Sequence, residues 1–248
     1  MKRLLTLLLC VCMVFVFTGC EELLMSNDSL DVSGIEPGKY TILVYMNGSD
    51  LESNYGMATS DLQEMLSAAY SRDDIRVVVQ TGGANKWWNY SVPAQNPARY
   101  LIQDAGMAHL EDVAAASMGS ASTLTDFINY GMENFPADRY GLILWNHGGG
   151  SVYGYGSDEL YNGDGMTLGE LNSALKNSAA ARQPFEFIGF DACLMASLET
   201  AWAVRDYGRY LVASEELEPG YGWDYTSWLT ALGRDASMDG ASLGRAIV

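Results

Sequence analysis

Two apolar runs without polar alternation limit what this chain can fold into. Leu142, Ile143, Leu144 and Trp145 lead directly into Asn146, His147 and three glycines; Phe187, Ile188 and Phe190 lead into Asp191, Ala192 and Cys193. Continuous apolar strands are covered on both faces, which is the situation inside a parallel sheet flanked by helices. Tyr40–Met46 and Ile75–Gln80 are two further runs of this kind. Between them, Met57, Leu62, Met65 and Leu66 recur at helical spacing over Tyr55–Tyr70. Strand, helix and strand at this spacing form a parallel crossover unit. The expected architecture is therefore α/β, with a mostly parallel sheet and helices on both of its faces.

The rest of the chain fits around that sheet. Lys86–Asp104, with Trp87, Trp88, Tyr90, Pro93 and Pro97, reads as an edge hairpin that ends in a short strand at Tyr100–Gln103, its tryptophans covering the sheet edge rather than a substrate. Thr123–Phe135 is an amphipathic helix, and Pro136-Ala137-Asp138 turns the chain into the histidine strand. Ser151–Gly165 lacks apolar periodicity and reads as a surface loop; Leu160 and Gly169 occupy positions where a calcium loop needs oxygen ligands. Thr167 with Glu170 forms a capping box that opens a helix to about Ala180. Leu194, Leu198, Ala201 and Trp202 predict a helix that starts at Cys193. A last strand at Tyr210–Ala213, an aromatic loop over Glu218–Trp228 and a helix from about Asp239 complete the pattern. That helix reaches Val248 without a stop signal, so the domain, residues 37–248, is expected to continue beyond it.

Before the domain, Lys2 and Arg3 precede an apolar stretch, Leu4–Phe17, that is short for a membrane span and reads as an export signal over residues 1–19. Phe17-Thr18-Gly19-Cys20 resembles a bacterial lipobox with Phe17 in place of the usual leucine, which predicts lipidation at Cys20, a bilayer as partner and a place in the bacterial cell envelope. The acidic, aromatic-poor residues 20–36 read as a flexible tether. The chain has four cysteines. With Cys10 and Cys12 in the signal and Cys20 lipidated, Cys193 is the one free thiol of the mature chain and no disulfide framework is available. Against 31 acidic residues stand 14 basic ones, a formal charge of -17. That balance argues against a nucleic-acid or anionic-membrane surface and favours cationic or neutral partners.

In an open parallel sheet, ligands gather outside the carboxyl ends of the strands, where His147 and Cys193 both fall. A thiol needs a base to become a nucleophile, and the mature chain offers His147 and His109; His109 lies in a segment without a pattern and reads as a surface residue. A helix starting at Cys193 would favour its thiolate. The glycine after His147 allows close backbone approach, so the Gly148 and Cys193 amides are candidates for an oxyanion hole. Asp191, two residues before Cys193, would lie roughly 6 to 7 Å from it on the same strand face, which suits a carboxylate meeting the end of a long basic side chain. Its other reading is a helix N-cap.

At these residues, ILWNHGGG at Ile143–Gly150 and GFDACLM at Gly189–Met195, the sequence resembles the clostripain family of cysteine peptidases within the caspase-like group. His147 and Cys193 are 46 residues apart, near the spacing of about 50 of caspase-type pairs. The resemblance implies a caspase-like fold and endopeptidase activity on polypeptides after Arg or Lys. It also implies His147 and Cys193 as a dyad that needs no third member, and Asp191 at the base of the specificity pocket. In some members it implies internal cleavage and calcium dependence. The sequence itself requires no cofactor and shows no calcium-ligand pattern. The only basic residues between His147 and Cys193 are Lys176 and Arg182, of which Arg182, in a predicted turn, is the better cleavage site. The competing class is a catalytically silent caspase-like lipoprotein that binds partners, and a selectively reactive thiol separates the two.

Overall fold

The computed structural model describes residues 29–248, so the export signal, Cys20 and most of the tether lie outside the described residues. The chain opens with β1 (Gly38–Asn47), α1 (Ser49–Tyr55), α2 (Met57–Ser67) and β2 (Ile75–Gly82). It continues through β3 (Ala98–Gln103), β4 (Gly106–Asp112), α3 (Ala121–Asn134) and β5 (Ala137–Trp145). Then come α4 (Gly150–Tyr153), β6 (Tyr155–Asp158), β7 (Asp164–Met166), α5 (Leu168–Lys176) and β8 (Phe185–Asp191). The last elements are α6 (Leu198–Val204), β9 (Gly208–Val212), α7 (Tyr225–Arg234) and α8 (Gly240–Ile247). Seven strands form one sheet in the order β4-β3-β2-β1-β5-β8-β9. The five strands from β2 to β9 are parallel, and β3 and β4 extend the β2 edge antiparallel.

The unbroken apolar runs have the expected cause. Along β1 and β5, Ile42, Val44, Ile143 and Trp145 join one core with Leu62, Met65, Trp228 and Leu243 of α2, α7 and α8. The alternating residues Leu43, Tyr45, Leu142 and Leu144 join a second core with Phe127, Leu171 and Leu175 of α3 and α5. Successive side chains point to opposite faces, and both faces are dry.

From β1 the chain moves outward through β2, β3 and β4, and then returns through α3 to β5 on the other side of β1. The order reverses between β1 and β5, so the crevice at their carboxyl ends is the place where such a sheet takes a ligand.

The structure corrects four local expectations. The edge hairpin is β3–β4, and the aromatic stretch before it is irregular, with Trp87 buried and Trp88 half exposed over Gly56. The aromatic loop expected over Glu218–Trp228 stops at Asp224, which caps α7; His109, read as a surface residue, is partly exposed on β4, where its ring contacts Asp112 at 3.0 Å and its carbonyl accepts from the Leu30 amide. Ser151–Gly165 is no loose loop: α4 and the β6–β7 hairpin bury Tyr155 and Asp158. The helix expected at Cys193 begins instead at Leu198, capped by Ser197, and Leu198 and Trp202 face solvent. The capping box at Thr167 and Glu170 forms as the sequence predicts.

Candidate active site

Trp145, the last residue of β5, pairs with Asp191, the last of β8, so the two strands end level with each other. His147 and Cys193 each follow two residues later. The two exits are tied together by the Asn146 amide, which donates to the Asp191 carbonyl at 3.3 Å, and by the Asn146 side chain, which donates to the Asn47 carbonyl at the end of β1. From the other side the β6 hairpin holds the histidine segment, through Gly156 N–H to the His147 carbonyl at 3.0 Å and Gly149 N–H to the Gly154 carbonyl at 2.8 Å. Gly148 lies directly against Cys193: a Cβ there would come within 1.9 Å of the Cys193 carbonyl oxygen. Any side chain at 148 would force the two segments apart. Among the described residues neither the Gly148 nor the Cys193 amide donates a hydrogen bond.

The exposed His147 ring contacts Asp50, at the start of α1, with Nε2 2.7 Å from Oδ1. Burial acts to raise the Asp50 pKa, but the hydrogen bond from His147 and its charge outweigh it, and the carboxyl titrates below its ordinary range. An ionised Asp50 makes Nε2 the donor and leaves Nδ1 to take a proton. Nothing in the local pattern singles out Asp50. Its one signal was an acidic residue at the carboxyl end of the strand beside the histidine strand.

Cys193 sits in a turn, not at a helix start, so no helix dipole acts on its thiol. Leu194 adopts φ 63°, which costs a non-glycine residue about 1 kcal/mol or more and folds the chain sharply away from the sulfur. The segment after β9 runs alongside: Leu194 N–H donates to the Glu216 carbonyl at 3.0 Å and Ala196 N–H to the Ser214 carbonyl at 2.9 Å. Glu218, next on that segment, donates its amide to Cys193 Sγ at 3.3 Å.

Asp191 is 5% exposed, and its Oδ2 accepts from the Tyr225 hydroxyl at 3.0 Å and the Trp223 amide at 3.3 Å. Burial, and after it the charge of Glu218, hold its pKa well above the usual carboxylate range. The N-cap reading is excluded, since Asp191 ends β8 and Ser197 caps α6. Gly222, at φ 62°, closes over the carboxylate: a Cβ on it would lie 2.8 Å from Oδ1. Arg182 lies before the opposite end of β8, roughly 20 Å from Cys193 by strand rise, so this thiol could reach it only in a second molecule.

Beneath the site, buried Asp61 accepts from Trp145 Nε1 at 2.6 Å. Burial, then the charge of Asp191, push its pKa up to about 9. From about pH 4 to 9 the folded chain therefore keeps a proton that the unfolded chain has released, and stability falls as pH rises through that window. Asp61→Asn keeps an acceptor for the indole and removes the titration. Between pH 6 and 8 the wild type is expected to lose about 1.4 kcal/mol per pH unit more than the variant, or about 3–6 °C of Tm per unit. Thermal unfolding of both chains across that range checks it, and parallel pH profiles would return Asp61 to an ordinary hydrogen-bond role.

Calcium finds no obvious set of ligands here: among the described residues no group of three or more His, Cys, Asp or Glu side chains could hold a metal ion.

Comparison with known proteins places this arrangement. The solved structure of a secreted C11 cysteine protease from Bacteroides thetaiotaomicron, in complex with an irreversible peptide inhibitor, superposes with a TM-score of 0.68 at 24% identity, over 85% of this chain and 58% of that one. An inactive zymogen C11 protease from Parabacteroides distasonis superposes at 0.64 with 23% identity, over 86% and 58%. At such identities the likeness concerns the fold, and the fold is caspase-like. Clostripain from Hathewaya histolytica is 34% identical over 128 residues, 44% of this chain and 24% of that protein. The chain thus spans less than two thirds of each of these relatives. The sequence profile of the clostripain family matches residues 44–248, most of the chain and every element of the site. This chain belongs to the clostripain family.

Proposed function

We propose that this chain is a cysteine endopeptidase that cleaves polypeptides after Arg or Lys through Cys193 and His147, with Asp191 at the floor of the specificity pocket. The observation that carries the reading is the paired exit of β5 and β8, which release His147 and Cys193 side by side while Gly148 packs against the Cys193 carbonyl. Buried Asp191 lies one strand step below. We further propose that the protein works outside the cytoplasm at the bacterial envelope, held by a lipid on Cys20. The signal pattern supports that location, as do relatives described as secreted.

In the reaction, Cys193 passes its proton to His147 Nδ1, and the thiolate attacks the carbonyl carbon after the basic residue. The Gly148 and Cys193 amides, free of other partners, receive the oxyanion. Asp50 keeps the imidazole oriented, with Nε2 directed at its carboxylate and Nδ1 left for the thiol, as a third group does for other thiol–imidazole pairs. Collapse of the tetrahedral intermediate breaks the C–N bond, His147 gives its proton to the leaving amine, and an acyl-enzyme remains. His147 then takes a proton from water, the hydroxide attacks the thioester, the C–S bond breaks to release the carboxylic acid, and His147 returns the proton to the sulfur.

Hydrolysis of a fluorogenic peptide ending in Arg by the purified chain, blocked by iodoacetamide, is the expected result. A chain that neither hydrolyses such peptides nor shows selective alkylation of Cys193 is a binding scaffold.

A further inference from the structure

We propose that Glu218 is the second acceptor of the specificity pocket and that, with Asp191, it clamps a guanidinium group, so that Glu218 sets preference for Arg over Lys. This deepens the reading of Asp191 given above and rests on it.

The placement comes from three contacts. The Glu218 amide is bonded to the nucleophilic sulfur at 3.3 Å, so this residue borders the point where the substrate carbonyl must lie. Its Oε1 accepts from Trp223 Nε1 at 3.3 Å, which folds the side chain inward, away from solvent. There it lies beside the Asp191 carboxyl, both groups bonded to Trp223; burial raises the pKa of each, and at Asp191 the charge of Glu218 adds to the rise.

Each member of the pair has a free oxygen. Glu218 Oε2 is buried and has no hydrogen-bond partner, and Asp191 uses only Oδ2, leaving Oδ1 without a donor among the described residues. Buried polar atoms are ordinarily satisfied, and two facing carboxyls with unfilled acceptors form an incomplete network. No Lys or Arg of the described chain pairs with either group. A planar cation with five donors would displace a proton retained by the raised pKa values of the pair and span both carboxylates. An ammonium group neutralises the pair but, as a point charge, does not reproduce the two-sided geometry. Glycine at 222 is what lets the loop pass over Oδ1, because a Cβ there would crowd the oxygen at 2.8 Å.

The test is Glu218→Gln, which keeps the amide bond to sulfur and an acceptor for Trp223. Matched Arg and Lys peptides are compared, with iodoacetamide labelling of Cys193 as a check that the nucleophile is intact. The expected result is a fall of about tenfold or more in kcat/KM for Arg, a change under about threefold for Lys, and unchanged labelling. Equal losses on both substrates, or an unchanged Arg to Lys ratio, would overturn the proposal. Calorimetry on the Cys193→Ala chain separates this idea from the proposed peptidase activity. Agmatine is expected to bind more tightly than 1,4-diaminobutane and to release a proton, and Glu218→Gln to remove both differences. Equal affinity for the two amines would sink the clamp even if Arg peptides are cleaved; unequal affinity would keep it even if they are not. A Glu218→Gln chain that unfolds is replaced by Glu218→Asp, which retracts the carboxylate, and there too the ratio must shift.

Discussion

Cys193→Ala abolishes peptide hydrolysis, and His147→Ala lowers kcat by about a thousandfold or more, while both variants keep the Tm of the parent within a few degrees. The size follows from how the pair works. Neither the bond to the substrate carbon nor the proton delivery to the leaving amine has a substitute in the site, and removing either member of a unit costs nearly as much as removing both. The double variant should therefore be no slower than Cys193→Ala alone, and that non-additivity distinguishes a dyad from two independent contributions. The structural cost is small, because His147 is exposed and Cys193 half-buried, and the backbone ties around them run through Asn146, Gly149 and Gly156. Single-turnover and steady-state rates on one Arg peptide measure the series. Appreciable turnover by Cys193→Ala would remove the thiol from the mechanism.

Asp191→Asn lowers kcat/KM for Arg and Lys peptides by roughly 100-fold or more and leaves the alkylation rate of Cys193 unchanged. Leaving one partner of a buried ion pair unmatched costs about 3–5 kcal/mol, which sets that scale. The asparagine keeps acceptors for Tyr225 and Trp223, so the pocket holds its shape and the loss is one of charge. The pH dependence has a definite sign. Burial and the neighbouring Glu218 raise the Asp191 pKa, so lowering the pH fills the pair with protons and weakens the binding of a cation. Discrimination between Arg and a neutral isostere such as citrulline should therefore grow as the pH rises, in the wild type and not in Asp191→Asn. Charging the pair also involves the facing groups Asp61 and Tyr225, whose pKa values are themselves raised, so the profile is that of a cluster rather than of one carboxyl. An unchanged preference for Arg in the variant would assign the pocket to another residue.

Local pattern by itself determined the parallel strands β1, β2, β5 and β8 with helices between them, the Thr167 capping box and the exit of His147 and Cys193 from strand ends. Each of these depends on residues within one element. β4 escaped notice because its strand, Gly106–Asp112, is half-buried along an edge, so it has neither the apolar run of an inner strand nor a clear alternation. The spacing of Leu194, Leu198 and Trp202 fits a helix, yet helical spacing does not report which side is covered. The turn at Leu194 and the cap at Ser197 delay α6, and its apolar residues face out. Only the tertiary structure decided what surrounds the two strand ends. Asp50 meets His147 across 97 residues, and Glu218 reaches the Cys193 sulfur across 25. Neither carboxylate stands in a periodic pattern, because its partner lies on another element. Such contacts arise from sheet order and loop path, which bring the ends of β1, β5 and β8 and the segment after β9 to one crevice; the chemistry of that crevice is a property of the assembled fold.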